Sequence, residues 1–363
     1  MKAFILAAGY GTRLEPLTLA VPKPMVPIVN LPTMQHNIEL LKKHGFTEIV
    51  ANIHYYPEQI ENYFGDGHAF GVSLDYSFEE ELLGTAGGVR KMAQISGAQE
   101  TFIVLSSDAL TSINLTRCLE YHREKKALAT IALARVNDVR EFGVVMHDDS
   151  GRITGFQEKP DPAVALSDLA NTGIYVFEPG ILDLIPDGFY DFGKQLFPRL
   201  AAERAALYGY EMVEYWNDVG GLEKYIQSNY DAMSGALHIN IPGRKVASAT
   251  WLGEREQIDP SSRFEGSVII GDRCRIGRDV YIKDSVIGDK CVIGDGAAIT
   301  GSVLWPDVVV SKEARVTGAV IGSFSHLGKA AVVGEGTVMA NRVVVGAGRV
   351  VPSQSRVQPD SIY

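Results

Sequence analysis

Short apolar runs alternate with amphipathic segments along the first two thirds of the chain. The runs are short enough to be buried strands, whereas the segments between them repeat their apolar positions with helical spacing. This alternation predicts an α/β fold with a mostly parallel sheet, helices on both faces and ligands at the carboxyl ends of the strands. The clearest predicted strands are 48–53, 101–105, 129–134 and 173–177, and the clearest predicted helices are 33–44, 56–64 and 115–125.

A different periodicity begins after residue 263, where aliphatic residues recur in steps of six, six and five. Three steps make one repeat, which predicts a parallel β-helix whose coils must stack to bury their interiors. The pattern loosens between 236 and 263, so we expect domains at 1–235 and 264–363 with a connection between them. The expected interior residues are Ile270, Ile276, Ile282, Ile287, Ile293, Ile299, Leu304, Val310, Val316, Ile321, Leu327 and Val333.

Composition narrows the class of protein. A chain of 363 residues with 46% hydrophobic residues is long enough for two packed domains. The net charge of −10 argues against a nucleic-acid partner, because such binding depends on a basic surface. No apolar stretch approaches the ~20 residues of a membrane span, so we expect a cytoplasmic protein without a membrane partner.

Three cysteines form neither a disulfide framework nor a zinc-site pattern. Cys274 and Cys291 lie one repeat apart, and we expect them to stack in neighbouring coils as small buried side chains.

The segment LAAGYGTRLEPLT, residues 6–18, contains the first candidate chemistry. A predicted strand, 1–8, ends at Gly9 and Gly11, and glycines let successive N–H groups approach phosphate oxygens. Arg13 adds a forked cation, and Lys23 adds a second cation between two prolines. The spacing is not that of a Walker loop, and Leu14 stands where the dinucleotide fingerprint needs its third glycine. The segment therefore predicts a different kind of phosphate site.

This segment, together with the following PKP, resembles the signature of the sugar-1-phosphate nucleotidyltransferases. Further motifs follow in the order of that family: LGTAG at 83–87, SD at 107–108, FGVV at 142–145, FQEKP at 156–160, NTGIY at 171–175 and WNDVG at 216–220. The resemblance covers the first two thirds of the chain, and the last third resembles the family's C-terminal hexapeptide extension. It implies a Rossmann-like nucleotidyltransferase domain, then a left-handed parallel β-helix, and transfer of a nucleotidyl group from an NTP to a sugar 1-phosphate with release of pyrophosphate.

The resemblance also implies roles for individual residues. It gives a catalytic role to Arg13, Lys23 and Asp108, and it places Mg²⁺ at Asp108 and Asp218, since that ion binds through one or two carboxylates plus phosphates. Two departures from the family pattern are Thr172, where a smaller residue is usual, and Gly221. The implied nucleotide-binding residues are Ala8, Gly9, Gly11, Thr12, Arg13, Glu79, Gly84 and Thr85, and the implied sugar-phosphate residues are Gly143, Glu158, Lys159 and Asn171.

Glu79 bears on the choice of base. It stands five residues before Gly84, where uridylyl- and thymidylyltransferases of the family have a Gln that reads a pyrimidine. A carboxylate only accepts hydrogen bonds, and guanine offers two adjacent donors, N1–H and the N2 amino group. The run EEELLGTAG also resembles that of the GDP-mannose pyrophosphorylases. We therefore expect GTP as the nucleotide and mannose 1-phosphate as the acceptor.

Three alternatives stay open at this point. The first is UDP-, dTDP- or ADP-glucose synthesis. The second is an additional acyltransferase activity of the β-helix, in which His326 would be the general base. The third is a catalytically weak regulatory subunit, against which the presence of all five expected charged residues argues: Arg13, Lys23, Asp108, Lys159 and Asp218. Because a stacked helix leaves open ends, we also expect a homo-oligomer.

Overall fold

The computed structural model describes the whole chain, Met1–Tyr363. The chain forms two compact units, the first made of Met1–Tyr10 and Met34–Asp218, the second of Gly11–Thr33 and Val219–Tyr363. None of the helices has the length and hydropathy that a membrane-spanning helix needs. The α-helices are α1 (Thr33–Lys43), α2 (Pro57–Phe64), α3 (Gly84–Ser96), α4 (Leu115–Glu124), α5 (Phe197–Ala202) and α6 (Leu222–Ser234).

Thirteen strands precede α6 in the chain. They are β1 (Lys2–Leu6), β2 (Pro27–Ile28), β3 (Leu31–Pro32), β4 (Glu48–Ile53), β5 (Ser73–Phe78), β6 (Phe102–Ser106), β7 (Ala109–Thr111), β8 (Ala129–Arg135), β9 (Gly143–His147), β10 (Ile153–Glu158), β11 (Leu169–Phe177), β12 (Leu207–Glu211) and β13 (Trp216–Asp218). The strands and helices predicted from periodicity are confirmed, with ends that differ by a few residues.

The first unit is built on a nine-stranded sheet in the order β10-β9-β11-β6-β1-β4-β5, with β8 beside β11 and β12 beside β8. Strands β6, β1, β4 and β5 are parallel neighbours, which is the Rossmann-like half of the sheet. Strand β11 runs antiparallel to β6, β8 and β9. The centre of β1, from Ala3 to Ile5, is fully buried, as expected for a strand covered on both faces.

The second unit contains a parallel β-helix. Its strands are β14 (Arg244–Ala247), β15 (Thr250–Leu252), β16 (Gln257–Ile258), β17 (Arg263–Ile270), β18 (Arg275–Ile276), β19 (Tyr281–Ile287), β20 (Val292–Ile293), β21 (Ala298–Thr300), β22 (Val303–Leu304), β23 (Val309–Val310), β24 (Arg315–Thr317), β25 (Val320–Ile321), β26 (His326–Leu327), β27 (Val332–Val333), β28 (Val338–Met339), β29 (Val344–Val345), β30 (Val350–Val351) and β31 (Arg356–Val357). From β15 onward, the pairs between coils are all parallel.

The interior of the β-helix is the aliphatic set that the periodicity predicts. All twelve predicted residues belong to one buried cluster. Cys274 and Cys291 are free, buried thiols in the same cluster and donate to the carbonyl oxygens of Gly288 and Trp305. The prediction for these two cysteines is confirmed. Strands β15 and β16, which already pair with β17 and β18, fall within the stretch 236–263 that the sequence predicts to be a connection.

The recurring Gly-Asp dipeptides have a structural reason in the stacking of the coils. Asp289 Oδ1 accepts from the N–H of Asp272 one coil away, at 2.8 Å. A Cβ atom on Gly271 would stand 2.4 Å from that same carboxylate oxygen. Only glycine leaves room for the aspartate of the next coil. The carboxylate of that aspartate then holds the backbone of the corresponding turn in the preceding coil.

Candidate active site

The first unit contains a pocket of about 440 Å³ at the end of its sheet. Of the residues expected at the sugar phosphate and the metal, Asp108, Gly143, Glu158, Asn171 and Asp218 line it. They come from loops and strand ends that are distant in sequence, as expected where the ends of several strands meet.

Two aspartates lie at one side of the pocket, Asp108 in the turn before β7 and Asp218 at the end of β13. Strand β13 pairs antiparallel with β7 so that Asp218 is opposite Ala109, the residue after Asp108. The hydroxyl of Ser106 donates to Asp108 Oδ1 at 2.5 Å and orients that carboxylate. Both carboxylates line the same pocket. No group of three or more metal-ligating side chains occurs in the structure.

The other side of the pocket is formed by β9, β10 and β11. Gly143 is the register partner of Glu158, and a Cβ atom on Gly143 would stand 3.2 Å from Glu158 Oε2. Lys159 follows Glu158 with a φ of 46° and does not line the pocket. Asn171 and Thr172 lie at an irregularity in the pairing of β11 with β8. Thr172 is accommodated because its hydroxyl donates to the carbonyl oxygen of Ala132 at 2.7 Å.

Two aromatic residues that sequence analysis did not assign also shape this pocket. Trp216 Nε1 donates to the carbonyl oxygen of Thr172 at 3.1 Å, and its ring centroid lies 5.3 Å from that of Phe142. Tyr175 is buried beneath the pocket, and this burial raises the pKa of its hydroxyl, which therefore stays protonated. Trp216 stands beside Asn217 and Asp218 in a recognised motif, so its position in the sequence was a usable signal.

The N-terminal glycine motif divides between the two units. In the first unit, the N–H of Ala7 donates to Asn52 Oδ1 at 2.7 Å, and Ala8 and Gly9 follow. In the second unit, Gly11 has a φ of 72°, and its carbonyl oxygen accepts from the Thr18 hydroxyl at 2.9 Å. A Cβ atom on Gly11 would stand 2.8 Å from Lys23 Cβ, so glycine is needed for both the dihedral angle and the space.

Thr12 and Arg13 are exposed and lie in a short 3₁₀ helix, Thr12–Leu14. Lys23 begins another 3₁₀ helix, Lys23–Met25, in which the N–H of Met25 donates to the carbonyl oxygen of Pro22 at 2.8 Å. Each cation is therefore attached to a locally rigid turn of the second unit.

Glu79 lies inside the first unit and is 1% exposed. Its Oε1 accepts from Asn52 Nδ2 at 2.7 Å, and its Oε2 accepts from the N–H of Leu83 at 2.9 Å. A solvated loop position is therefore excluded for this carboxylate. The contacts connect the end of β4 with the residue that precedes α3, so Glu79 also supports the local backbone.

Gly84 and Thr85 begin α3 and contact a later segment of the same unit. The N–H groups of Ala86 and Gly87 both donate to the carbonyl oxygen of Tyr190 at 3.0 Å. The hydroxyl of Thr85 donates to Asp191 Oδ2 at 2.9 Å. Sequence analysis missed the residue that this contact brings to the pocket, Lys194. No local motif marks Lys194, because its place depends on contacts with residues about a hundred positions earlier.

His326 lies on the exposed face of the β-helix, where its Nε2 is 3.0 Å from Ser311 Oγ. Ser311 directly follows β23, which pairs with the strand of His326, β26, in the six-stranded sheet of the β-helix.

The fold and the pocket define a class of protein. An α/β sheet of this topology, with two carboxylates and several polar groups in one pocket near the ends of its strands, is typical of enzymes that act on phosphorylated ligands. The family model described as "Nucleotidyl transferase" matches residues 2–235, and the model described as "EIF2B subunit epsilon LbH domain" matches residues 248–351. The chain thus belongs to the nucleotidyl transferase family, as a sugar-1-phosphate nucleotidyltransferase with a left-handed β-helix.

Individual relatives agree with this family. The chain is 42% identical to a UTP–glucose-1-phosphate uridylyltransferase of Synechocystis sp., over 78% of this chain and 76% of that protein. It is 34% identical to a mannose-1-phosphate guanylyltransferase of Mycobacterium tuberculosis, over 74% of this chain and 79% of that protein. A solved structure of a putative glucose-1-phosphate thymidylyltransferase from Bacillus anthracis has a TM-score of 0.57 and 26% identity, and covers 66% of this chain and 96% of that one. Enzymes of this family generally use a divalent metal ion.

Proposed function

We propose that this protein transfers a guanylyl group from GTP to mannose 1-phosphate, forming GDP-mannose and releasing pyrophosphate. The observation that carries the assignment of the reaction is the single pocket lined by Asp108, Asp218, Glu158 and Asn171. Those residues come from four separate motifs of the sugar-1-phosphate nucleotidyltransferases. The choice of GTP and mannose 1-phosphate is supported by the acceptor-only chemistry of Glu79 and by the name of the Mycobacterium tuberculosis relative.

The chain's own residues position the substrates and neutralise their charge. A phosphate oxygen of the sugar 1-phosphate attacks the α-phosphorus of the nucleotide in line with the departing pyrophosphate. The new P–O bond forms as the bond to pyrophosphate breaks, so the protein supplies no nucleophile. Arg13 and Lys23 would stabilise the α-phosphate and the leaving pyrophosphate, while Lys159 would hold the sugar 1-phosphate.

The remaining roles are contacts that orient the substrates. Glu158, Asn171 and the backbone of Gly143 would bind hydroxyl groups of the sugar, because all three line the pocket. The backbone from Ala8 to Thr12 would bind nucleotide phosphates, and the segment that contains Glu79, Gly84 and Thr85 would bind the base. Holding both reactants in the reactive geometry removes much of the entropic barrier.

The two aspartates fit the Mg²⁺ that we propose as the cofactor. Asp218 ends β13 opposite Ala109, the residue after Asp108, and a carboxylate pair completed by phosphate oxygens and water is the donor set that Mg²⁺ takes in such enzymes. When bound, the ion supplies charge neutralisation at the phosphates. Within the chain, Ser106 keeps one of the two carboxylates oriented.

The test is a pyrophosphate-release assay with purified protein and Mg²⁺. Five nucleotides, GTP, UTP, dTTP, ATP and CTP, are each combined with mannose 1-phosphate and with glucose 1-phosphate. Release with GTP and mannose 1-phosphate alone is the expected result. Release with another pair would refute the choice of substrates and keep the reaction class, whereas no release with any pair would refute the activity itself.

A second pair of substrates, UTP and glucose 1-phosphate, is favoured by one specific observation. The Synechocystis relative named as a UTP–glucose-1-phosphate uridylyltransferase is 42% identical to this chain, more than the Mycobacterium tuberculosis relative at 34%. The buried carboxylate of Glu79 already accepts two hydrogen bonds within the protein, which leaves it less acceptor capacity for a base. The same assay separates the two pairs of substrates.

We also propose that the protein is a homo-oligomer that associates through its β-helix. On the six-stranded sheet of the β-helix, one register column contains Val292, Val344 and Ile362, which are 37%, 41% and 83% exposed, together with Val309 and the exposed His326. A second copy of the same face would cover these side chains and remove apolar surface from water.

A further inference from the structure

The pocket of the first unit has too little positive charge for an anionic substrate. Four carboxylates line it, those of Asp108, Glu141, Glu158 and Asp218, and the one cationic side chain among its lining residues is Lys194. A divalent ion at the two aspartates would balance two of these four carboxylates, and a phosphate group would add negative charge beside Glu141 and Glu158. Because like charges in such a site repel, a cation in the pocket wall itself is needed to hold the phosphate there.

Lys194 is held by an unusual local structure. It lies in a π-helical turn, Phe192–Leu196, and single π turns are rare and frequent at functional sites. The N–H of Lys194 donates to Asp191 Oδ1 at 2.9 Å, which fixes the backbone of the turn. The side chain of Lys194 is exposed. The backbone of this lysine is therefore fixed while its ammonium group stays accessible to a ligand.

The turn is attached to the LGTAG motif at 83–87. The N–H of Tyr190 donates to the carbonyl oxygen of Leu83 at 2.9 Å. The hydroxyl of Thr85 donates to Asp191 Oδ2 and accepts from the N–H of Phe192 at 2.8 Å. Asp191 thus receives Thr85 at one carboxylate oxygen and the backbone of Lys194 at the other. The side chain of Asp191 therefore connects the LGTAG motif to Lys194.

The glycines of the motif permit this attachment. A Cβ atom on Gly84 would stand 2.6 Å from the carbonyl oxygen of Tyr190, and one on Gly87 would stand 2.4 Å from that of Gly188. Any other residue would push the segment that begins at Gly188 away from α3. The N–H groups of Ala86 and Gly87, in the first turn of α3, both donate to that segment at the carbonyl oxygen of Tyr190.

We propose that Lys194 binds the phosphate group of the sugar 1-phosphate, and that Thr85 is a positioning residue that holds Lys194 in place through Asp191. The identity of the anion rests on the proposed function. The proposal gives the LGTAG motif a second role, on the sugar-phosphate side of the reaction, beside the nucleotide-binding role that the family resemblance implies.

The first experiment compares Lys194→Ala, Lys194→Arg and the matched control Lys43→Ala, an exposed lysine at the end of α1. Steady-state kinetics give KM for the sugar 1-phosphate and for the nucleotide separately. Loss of one charge-assisted contact should raise KM for the sugar 1-phosphate by about 10- to 100-fold. The nucleotide KM should stay unchanged, Lys194→Arg should recover part of the effect, and Lys43→Ala should behave as the wild type.

The second experiment tests whether the hydroxyl of Thr85 holds Lys194 in place. Thr85→Val should raise KM for the sugar 1-phosphate as Lys194→Ala does, Thr85→Ser should restore it, and Lys194→Ala with Thr85→Val together should cost little more than Lys194→Ala alone. That non-additivity is expected only if Thr85 acts through Lys194. Additive effects, or a rise in the nucleotide KM instead, would overturn the positioning role.

Direct titration separates this proposal from the proposed function. Mannose 1-phosphate, glucose 1-phosphate and unphosphorylated mannose are titrated into the wild type and into Lys194→Ala by calorimetry. Weaker binding of a sugar 1-phosphate to the variant supports Lys194 even if the wild type releases no pyrophosphate. Equal affinity of both proteins for the sugar 1-phosphates, or no binding to either protein, overturns the role of Lys194, whatever the outcome of the activity assay.

Discussion

At the scale of single residues, the proposed substrate-binding side chains differ from side chains that are occupied by contacts within the chain. Asp108 and Asp218 face a shared space, whereas Glu79 and Thr85 are occupied by contacts within the chain. The same motif residues can therefore have both roles, and substitution distinguishes them by which kinetic constant changes.

Asp108→Asn should lower kcat by about two orders of magnitude or more, because it removes a charge next to the reacting phosphates. The fold should be preserved, since the asparagine oxygen can still accept from the hydroxyl of Ser106. The measurements are turnover with Mg²⁺ and the melting temperature, with the exposed Asp149→Asn as the control. Normal turnover of Asp108→Asn would refute the metal assignment.

Glu79→Gln distinguishes base recognition from local support. If Glu79 reads guanine, kcat/KM should fall by about tenfold or more for GTP and far less for UTP, because an amide nitrogen would face the guanine donors. If Glu79 only holds Asn52 and Leu83, both nucleotides should lose activity in parallel. The neighbouring exposed Glu80→Gln serves as the control, and a parallel loss would remove the argument for GTP.

At the scale of elements, buried polar contacts join helices to strands in the first unit. His122 on α4 has its Nδ1 2.8 Å from Thr130 Oγ1 on β8 and its Nε2 3.2 Å from Glu178 Oε1. Burial lowers the pKa of His122 below its ordinary value of 6.5, although Glu178 acts in the opposite direction. The neutral imidazole is thus the form that the folded protein favours.

Stability should therefore fall as the pH drops. Below the ordinary pKa near 6.5, the unfolded chain protonates His122 more readily than the folded one, so its contribution is complete above that pH and is lost as the pH falls through the folded pKa. Between about pH 7.5 and 5.5, the free energy of unfolding should decrease more for the wild type than for His122→Asn. Urea titrations at each pH measure this, with the exposed His68→Asn as the control; the same decrease in all three proteins would contradict it.

At the scale of the whole molecule, the β-helix has a filled interior, and the outer face of its six-stranded sheet has exposed apolar side chains that include Val344. Stacked coils satisfy each other's backbone groups along the helix, so association is expected to involve the side chains of a face. The molecular mass of the protein in solution tests whether copies associate through such a face.

Val344→Lys should lower the molecular mass measured by light scattering towards that of a monomer, because a charge would be buried between two copies. Val350→Lys is the matched control, since Val350 is 61% exposed but belongs to β30, on a different sheet of the same β-helix. An unchanged mass for Val344→Lys, or an equal decrease for both variants, would argue against association through this face.

The sequence by itself determined the α/β order, the interior of the β-helix and five of the residues that line the pocket. Periodicity suffices for the twelve aliphatic residues because each repeat buries the same position against its neighbours. The family motifs suffice for Asp108, Glu158 and Asp218 because each motif stands where a strand of the first unit begins or ends.

Only the tertiary structure decided the burial of Glu79 and the place of Lys194. Both depend on contacts between segments that are far apart in the chain: Asn52 with Glu79, and Thr85 with Asp191, 106 residues later. A local pattern shows what a side chain can do chemically, but which partner occupies it is decided when the strands and helices pack together.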